Sequence, residues 1–305
     1  MQNSLIALSH ELASTAERAG RFVAAVHARP RFSSSGVIWQ RDVIVTADHT
    51  VRRDEEIRVT LPDGRTVPAE LAGRDPETDL AVLKADTSDV TPLKISETDS
   101  IRPGNLLLAI GRSEETGVSA ALGVVSSASG PRRTWRGGKL DRFLRLDIGL
   151  YPGASGGAVV DAEGAVIGIA TSGLSRVSVL AIPVATIERV AGELLRKGHV
   201  ARGFLGVGLQ PIALPEHLQS KANVTDPNGG LIVLSVEPDG PAAKSGIVIG
   251  DVLVAFDGKA IGSTDDVLEF LGAEFVGRTI QASLIRGGEP LQLAITIGER
   301  PRRRA

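Results

Sequence analysis

Short runs of valine, isoleucine and leucine, separated by turn residues, recur along the chain and constrain the fold more than any other feature. Apolar and polar side chains alternate over residues 57–61, and the Pro-Asp-Gly sequence at residues 62–64 turns the chain into a second β-prone run. This pattern is typical of a β-hairpin. Two successive sets of such runs, within residues 36–83 and 106–170, leave little room for helices. We therefore predict a mostly-β protein with two packed β-barrels.

Helical patterns are confined to a few segments. Residues 4–26 carry apolar side chains mostly three or four positions apart, which predicts a weak amphipathic helix or, alternatively, a partly ordered leader. A second helix is expected to begin at Ile182-Pro183 and to end at Gly198. A short third helix is expected around residues 265–271, within a separate β-rich unit that begins near residue 200.

The composition excludes several functional classes. The 305 residues carry a formal net charge of −2, which gives no electrostatic reason to expect a nucleic acid or an anionic membrane as partner. The sequence contains no cysteine, so disulfides, thiolate catalysis and cysteine-bound metals are excluded. It also contains no P-loop and no clustered histidines, so neither a metal nor another cofactor is expected.

No segment resembles an export signal or a membrane span. The longest uninterrupted apolar stretch near the start is Leu5 to Leu8, shorter than the ~7–15-residue core of a secretory signal. Nothing later approaches the ~18 apolar residues of a membrane helix. As written, the sequence predicts a cytoplasmic protein, or a periplasmic or exported one if the start was placed too far downstream. The arginine-rich residues 301–305 are interpreted as a basic solubilising tail.

The strongest chemical signal is the sequence Pro-Gly-Ala-Ser-Gly-Gly at residues 152–157. The glycines allow tight backbone angles and close approach of a substrate backbone, and the small neighbours leave the Ser155 hydroxyl reachable. The N–H groups of Gly153 and Ser155, together with that of Ala154, can form an oxyanion hole. Taken alone, such a string also occurs as an ordinary turn at the entry to a strand.

A nucleophilic serine needs a base, and a base needs an orienting carboxylate. The candidate bases are the five histidines of the chain, His10, His27, His49, His199 and His217. Only His49 directly follows the end of a predicted strand, where a cleft between the barrels can bring it to Ser155. Asp79 directly precedes a buried strand and is the predicted orienting carboxylate. Asp48 is its competitor, although side chains adjacent in sequence usually point apart.

The order His49, Asp79, Ser155 is that of the chymotrypsin-like fold, and longer strings resemble the HtrA/Deg family. This family contains ATP-independent serine proteases with one or two PDZ domains. The strings are TADHTV, DPETDLAVLK, LLLAIG, PGASGGAVVDAEGAVIGI, LAIPVATI and RGFLGVGL. They follow the family's order and spacing from about Ser34 to Ile297.

The resemblance and the patterns together divide the chain into four parts. These are an N-terminal helical segment (1–33), a chymotrypsin-like serine protease domain (34–198), a PDZ domain (199–300) and the basic tail (301–305). In the PDZ domain the resemblance implies a carboxylate-binding loop, followed by a strand that pairs with an incoming peptide. Its peptide site comprises Phe204, Leu205, Gly206 and Val207 of the loop, and Val267, Leu268 and Leu271 of the short helix. The alternative interpretation of this unit is an ordinary β-sandwich core.

The substrate pocket is expected to be shaped by the segments before and after the serine. Its predicted residues are Ile148, Gly149, Leu150, Ala170, Thr171 and Ser172. No carboxylate is evident at the base of this pocket, and Asp147 is expected to face elsewhere. We therefore predict cleavage after small or medium aliphatic residues.

The sequence departs from the family pattern at three places. Ala47 stands two residues before His49, where the family usually has asparagine, and Ala154 precedes the nucleophile where asparagine is also usual. The loop Arg112–Thr116 lacks the family's Asn-Pro-Phe-Gly sequence, so the resemblance does not extend to regulation of the active site through this loop. The basic loop Arg132–Arg136 is interpreted either as a regulatory contact towards the PDZ domain or as a solvated loop.

These features predict a serine endopeptidase that acts on unfolded or regulatory proteins and captures apolar peptide C-termini. The family resemblance implies a homo-oligomer, commonly a trimer. The main rival is a chaperone or scaffold whose protease domain is quiescent. A serine esterase is disfavoured because a peptide-capturing domain would serve it no obvious purpose.

Overall fold

The computed structural model describes residues 4–87, 93–96, 100–222 and 229–301. The chain divides between Val200 and Ala201 into two compact units, two residues beyond the boundary predicted at 198/199. All but the first residue of the predicted basic tail (301–305) lie outside the described residues.

The first six strands form a closed antiparallel barrel in the order β1-β2-β3-β6-β5-β4. They are β1 (Val23–His27), β2 (Ser34–Gln40), β3 (Val43–Ala47), β4 (Ile57–Thr60), β5 (Thr66–Asp75) and β6 (Leu80–Ala85). Pairing of β1 with β4 closes the barrel. The hairpin predicted around residues 62–64 joins β4 to β5.

The second barrel is also closed, in the order β11-β14-β13-β12-β7-β8, which confirms the predicted two-barrel architecture. A two-stranded hairpin, β9–β10, is inserted between β8 and β11. The strands are β7 (Leu106–Ser113), β8 (Gly117–Ser129), β9 (Arg132–Arg133), β10 (Lys139–Leu140), β11 (Phe143–Asp147), β12 (Ala158–Asp161), β13 (Val166–Thr171) and β14 (Val179–Pro183).

One buried cluster joins the two barrels. Val45 and Leu80 of the first barrel and Ile110, Ala158 and Ile169 of the second belong to the same apolar core. Each fully buried aliphatic side chain of this size contributes ~1.5–3 kcal/mol by leaving water. The core therefore holds the strand ends of both barrels in fixed relative positions, which a site assembled from both barrels requires.

The N-terminal helix is shorter than predicted. Helix α1 spans Ser4–Gly20, and the predicted continuation to residue 26 is wrong because Val23–His27 form β1. The first four residues of β1 are buried and pair with β2, and the strand also pairs with β4 from Ala25 onward, so the barrel decides their conformation. The segment 1–33 is accordingly not helical throughout, and part of it completes the first barrel.

Helix α2 (Val184–Lys197) matches its predicted signals. It buries Ile187, Val190 and Leu194, and it begins one residue after Pro183. Gly198 ends it in the left-handed region at φ +74°, where a residue without Cβ is favoured. The cationic side chains in its last turn complement the helix dipole.

The second unit contains a sheet with the strand order β16-β17-β18-β20-β21 and three short helices. The strands of the unit are β15 (Gly203–Phe204), β16 (Val207–Ile212), β17 (Gly230–Val236), β18 (Val252–Phe256), β19 (Lys259–Ala260), β20 (Thr279–Arg286), β21 (Glu289–Thr296) and β22 (Gly298–Glu299). The helices are α3 (Glu216–Ala222), α4 (Pro241–Lys244) and α5 (Thr264–Glu269). Strand β16 lies at an edge of the sheet, so the backbone N–H and C=O groups along its outer side are available for pairing with another strand. None of the helices in the described ranges has the length and apolar character needed to cross a membrane.

Candidate active site

His49 lies in a single 3₁₀ turn, Asp48–Thr50, that directly follows β3. Its side chain is 23% exposed, so it borders the cleft while its backbone is anchored in the barrel. The Asp48 N–H donates to the carbonyl of Asp79 at 3.0 Å, which joins this turn to the start of β6.

Asp79 is fully buried and its carboxylate is directed at His49. Oδ2 lies 2.8 Å from His49 Nδ1, and Oδ1 accepts the His49 backbone N–H, also at 2.8 Å. The Thr171 hydroxyl donates to Oδ2 as well. Because an ionised carboxylate only accepts hydrogen bonds, Nδ1 carries the proton and Nε2 is left as the basic nitrogen. This is the tautomer that a general base for a serine requires.

Asp48, the competing carboxylate, is bound elsewhere. Its side chain is buried and accepts a hydrogen bond from Nε of Arg74. Burial raises the pKa of Asp48, and the bond to Arg74 only partly offsets that rise. Of the two aspartates considered from the sequence, the one that contacts His49 is therefore Asp79.

Ser155 follows a tight turn formed by residues 151–154. The Ala154 N–H donates to the carbonyl of Tyr151 at 2.9 Å, and Gly153 has φ +90°, as expected for the third residue of a type II turn. The Ala154 N–H is therefore engaged inside the turn and is not available as the oxyanion donor predicted from the sequence. The N–H groups of Gly153 and Ser155 have no acceptor among the described residues.

Ser35, on β2 of the first barrel, holds this turn from the opposite side of the cleft. Its Oγ donates to the carbonyl of Gly153 at 2.8 Å and accepts the Arg112 backbone N–H at 2.9 Å. Its own N–H donates to the carbonyl of Ser155 at 3.2 Å. A fully buried serine in one barrel thus fixes the backbone on both sides of Ala154 in the other.

The Ser155 hydroxyl is hydrogen bonded to Ser172, not to His49. The two Oγ atoms are 3.2 Å apart, and within the described ranges no hydrogen bond joins Ser155 to the His49 ring. Hydrogen bonds between catalytic groups are often long in ligand-free enzymes and tighten when substrate binds. His49 is thus joined to Asp79, while the Ser155 hydroxyl is turned toward Ser172.

Two glycines are required where the site is most crowded. A Cβ on Gly173 would lie 2.6 Å from His49 Nδ1 and 2.7 Å from Asp79 Oδ2. Gly156 has φ +88°, and a Cβ there would overlap the carbonyl oxygen of Ser35. Neither Gly173 nor Ser35 stands within a short motif of its own, so the sequence alone did not point to them. Both become evident only from their distant neighbours.

The predicted substrate pocket is only partly assembled as expected. Ile148 and Ser172 line a cavity of about 980 Å³ beside Ser155, whereas Ala170 and Thr171 are buried behind it. Thr171 contacts Asp79, so it acts on the triad. Asp147, expected to face elsewhere, lines the same cavity. The remaining predicted residues, Gly149 and Leu150, are not among the residues that line it.

The predicted carboxylate-binding loop lies between β15 and β16. The carbonyls of Leu205 and Gly206 accept hydrogen bonds from the N–H groups of Ala242 and Glu237, at 2.9 and 2.8 Å. The N–H groups of Leu205 and Gly206 have no acceptor in the part of the chain that the structure describes. Phe204 and Val207 are half-buried on either side of this pair.

Helix α5 carries two of the three side chains predicted to line the peptide pocket. Val267 belongs to the buried core, and Leu268 is half-buried. Leu271, two residues beyond the end of the helix, packs against the same core. A capping box between Ser263 and Asp266 begins the helix.

The basic loop Arg132–Arg136 contacts the segment that leads to Asp79. Thr134 Oγ1 donates to the carbonyl of Glu77 at 2.7 Å, and Arg136 Nη1 donates to the carbonyl of Pro76 at 3.1 Å. The loop is therefore packed within the first unit. Its suggested role towards the PDZ domain stays a prediction.

Comparison with known proteins agrees with this architecture. Residues 34–169 match the trypsin-like peptidase domain, and residues 203–297 match the PDZ domain. The fold and the matched domains thus define a trypsin-like peptidase domain followed by a PDZ domain.

Solved structures narrow this class to a family. The HtrA-type protease AlgW with a decapeptide is 30% identical, with a TM-score of 0.78 over 96% of this chain and 99% of that one. A serine endoprotease from Yersinia pestis is 31% identical, with a TM-score of 0.77 over 95% and 98% of the two chains. The chain belongs to the HtrA family of serine proteases.

The chain is also similar in sequence to longer proteins. The probable periplasmic serine endoprotease DegP-like of Halomonas elongata is 33% identical over 90% of this chain, and the protein of the same name from Pseudomonas fulva is 33% identical over 88%. The chain spans 57% and 56% of the lengths of these two relatives. Both names describe these relatives as periplasmic. They therefore do not support the predicted cytoplasmic location, and they are compatible with the alternative prediction of an exported or periplasmic protein.

Proposed function

We propose that this chain is an ATP-independent serine endopeptidase that cleaves unfolded or regulatory proteins. One observation carries the proposal: the buried Asp79 orients His49, and Ser172, whose neighbour Gly173 packs against His49, is hydrogen bonded to Ser155. Two backbone N–H groups of the same turn, those of Gly153 and Ser155, have no acceptor among the described residues. In the reaction, Ser155 Oγ attacks the substrate carbonyl carbon while His49 Nε2 takes the hydroxyl proton. The N–H groups of Gly153 and Ser155 stabilise the oxyanion, each contributing ~2.7–4 kcal/mol to the transition state.

Collapse of the tetrahedral intermediate completes acylation. The C–N bond breaks, and His49 returns the proton to the departing amine. Water then attacks the acyl-enzyme with His49 again as base, and the Ser155 hydroxyl is regenerated. Asp79 stays ionised throughout and stabilises the imidazolium that forms in each half-reaction.

The second unit supplies the capture of peptide C-termini in this proposal. The N–H groups of Leu205 and Gly206 suit a terminal carboxylate, and the edge strand β16 can pair with an added peptide strand. The half-buried Leu268 and Leu271 offer apolar contacts to the last side chain. The expected ligands are peptides and partly folded proteins with apolar C-termini.

One observation favours a second candidate, a chaperone with a quiescent protease domain. The Ser155 hydroxyl is bonded to Ser172 at 3.2 Å, an arrangement that does not activate it. A peptide bound to the PDZ unit would, in the first proposal, shift this resting arrangement to the active one. In the second proposal it would not.

Intact mass after treatment with a fluorophosphonate tests both candidates. The folded chain is treated alone, with a peptide ending in a free apolar C-terminus, and with the same peptide amidated. Ser155→Ala is the control. A single adduct that is absent from the variant supports the endopeptidase, and an adduct seen only with the free C-terminus supports activation through the PDZ unit. No adduct on folded protein in any sample would favour the chaperone.

Assembly and location complete the proposal. Leu5, Ile6 and Leu8 of α1 are exposed apolar side chains, which suit a contact between copies of the chain. We expect a homo-oligomer, a trimer by resemblance to the family, in an exported or periplasmic setting. Sedimentation of the full chain, compared with a variant in which these three residues are replaced by serine, tests the assembly.

A further inference from the structure

A second cavity, of about 680 Å³, opens beside the turn that precedes Ser155. Tyr151, Pro152 and Gly153 form one side of it. The other walls come from the loop between β1 and β2, from the segment that follows His49, from β4 and β5, and from the hairpin between β7 and β8. This cavity is lined by the turn before Ser155, whereas the other cavity is lined by Ile148 and by Ser172, whose hydroxyl is bonded to that of Ser155. An extended peptide that crosses Ser155 would enter both.

The two cavities have different roles in the proposed reaction. The residue before the scissile bond belongs on the Ile148 and Ser172 side, where the substrate pocket was predicted. The residues after the scissile bond, which leave with the amine, therefore lie along the Gly153 side. The second cavity is accordingly the site for the leaving part of the substrate, an assignment that rests on the proposed endopeptidase function.

The leaving-side cavity is strongly cationic. Five arginines and two glutamates line it. Arg112 is turned inward, where Nε donates to the carbonyl of Val23 at 2.6 Å and Nη2 donates to that of Gly20 at 2.8 Å. Within the described part of the chain, no carboxylate lies within 4 Å of the guanidinium nitrogens of the other four, which are Arg29, Arg31, Arg53 and Arg58.

The two glutamates offset only part of this positive charge, since five arginines line the same cavity. Glu114 lies 3.7 Å from His27 Nδ1, and both Glu114 and Glu115 are exposed on the hairpin. Burial lowers the pKa of His27, although Glu114 opposes that effect. The lowered pKa favours the neutral form of this imidazole. The excess of positive charge in the cavity comes from the arginines.

The loop that carries Arg31 is held in a strained conformation. Arg31 has φ +72°, and the Phe32 N–H donates to the carbonyl of Pro30 at 3.0 Å, which is the rare, strained form of the γ-turn. Arg29 braces the turn by donating to the carbonyls of Phe32 and Ser33, both at 3.1 Å. Strain of this kind persists where the surroundings enforce it, and it concentrates at functional sites.

Aromatic side chains at the cavity favour a peptide over a free anion. Phe32 is 66% exposed and Tyr151 is 60% exposed, and both line the cavity. The sequence has one tyrosine, two tryptophans and seven phenylalanines, so exposing two of these ten rings at one place is notable. Exposed rings beside guanidiniums that have no carboxylate partner among the described residues suit a segment that offers both apolar contacts and carboxylates.

We propose that the leaving-side cavity selects substrates with acidic side chains in the first few positions after the scissile bond. Arg31, Arg53 and Arg58 are the specificity-determining residues, and Phe32 and Tyr151 contact the apolar neighbours of the acidic residues. Arg29 is a positioning residue, since it braces the turn that carries Arg31.

Peptide binding tests this selection without requiring catalysis. Ser155→Ala protein is titrated with Ala-Glu-Glu-Phe-Ala and with Ala-Gln-Gln-Phe-Ala, each labelled through an added C-terminal lysine amide, so that no free carboxylate is offered to the PDZ unit. We expect the acidic peptide to bind about fivefold more tightly at low salt, since exposed ion pairs are individually weak. The preference should shrink as the ionic strength rises.

Variants inside and outside the cavity locate the effect. Arg53→Gln combined with Arg58→Gln should reduce the preference to less than twofold. Arg41→Gln, on the exposed hairpin between β2 and β3, removes the same kind of charge outside the cavity and should preserve the preference. Equal affinity for the two peptides, or a preference that survives the double variant, overturns the proposal.

A cleavage experiment separates this inference from the proposed function. Unfolded protein is digested with the wild-type chain and with both sets of variants, and the new termini are sequenced by mass spectrometry. We expect acidic residues to be enriched about threefold in the first three positions after the cut, and the double variant to lose that enrichment. Cleavage without enrichment contradicts only the selection. Acid-selective binding without cleavage or fluorophosphonate labelling contradicts the endopeptidase function and leaves the acidic peptide site in place.

Discussion

Two loops of this molecule present backbone N–H groups beside a glycine in the left-handed region, one in each unit. In the first unit Gly153 has φ +90° and lies two residues before Ser155, and in the second unit Gly206 has φ +76° and follows Leu205. In both loops, two N–H groups have no acceptor among the described residues. Each arrangement suits an oxygen that carries negative charge.

The two loops differ in what holds them. The turn before Ser155 is clamped by the buried Ser35 of the opposite barrel. The loop at Gly206 is held by backbone bonds from Glu237 and Ala242, at 2.8 and 2.9 Å. The oxyanion is transient, since it develops in the transition state and persists only in the tetrahedral intermediate, so its donors must be fixed before it forms. A peptide carboxylate is a stable ligand, and its binding tolerates a less rigid loop. The difference in how the two loops are held therefore matches the difference in what they bind.

The substitution with the largest expected effect should abolish catalysis at the first loop and leave peptide binding at the second unchanged. Ser155→Ala removes the nucleophile, and we expect peptide hydrolysis to fall by at least ~10⁴-fold. Binding of a free apolar C-terminal peptide, measured by calorimetry on the same protein, should be unchanged. If that affinity falls by more than a factor of two, the two sites are not independent and the comparison fails.

Equivalent substitutions at the two glycines measure the precision that each loop needs. Gly153→Ala places a Cβ 2.9 Å from the carbonyl oxygen of Ser33 in a backbone region that L-residues disfavour, so kcat should fall ~100-fold. Gly206→Ala places a Cβ 3.3 Å from Glu237 Cβ, an easier fit, and should weaken binding of a C-terminal peptide ~10-fold at most. Similar losses in kcat and affinity would show that the two loops demand equal precision.

Ser35→Ala tests the clamp. It leaves the carbonyl of Gly153 and the N–H of Arg112 without their buried partner, and we expect kcat and the fluorophosphonate labelling rate to fall ~10-fold with little change in KM. Ser34→Ala is the matched control, because the neighbouring Ser34 is equally buried and its Oγ has no partner within the described chain. A control that lost as much activity would indicate general destabilisation of β2 instead of positioning.

The smallest effect concerns the resting nucleophile. Ser172→Ala removes the hydroxyl that lies 3.2 Å from Ser155 Oγ, so His49 no longer has a competitor for that group. We expect the labelling rate without peptide to rise two- to fivefold, which corresponds to the free energy of one partly buried, neutral hydrogen bond. Stimulation by a C-terminal peptide should shrink by the same factor. An unchanged basal rate would mean that the Ser172 contact does not restrain the nucleophile.

The sequence by itself determined those features of this protein that depend on a few neighbouring residues. The hairpin at residues 62–64, the stop of α2 at Gly198 and the glycine-flanked Ser155 all follow from residues within a few positions of one another. The choice of Asp79 over Asp48 also depended on local context, namely its place at the start of a buried strand. Local chemistry of this kind is legible because backbone conformation and turn formation depend mainly on near neighbours.

Only the tertiary structure decided the contacts that join distant parts of the chain. Val23 continues a helical pattern in the sequence, yet the barrel requires it as a strand. Thr171 was predicted to line the pocket but donates to Asp79, 92 residues away, and Ser35 holds Gly153 across 118 residues. Neither segment of such a pair has a sequence pattern that identifies its partner, because a hydroxyl acquires its partner only when packing of the two barrels brings the segments together.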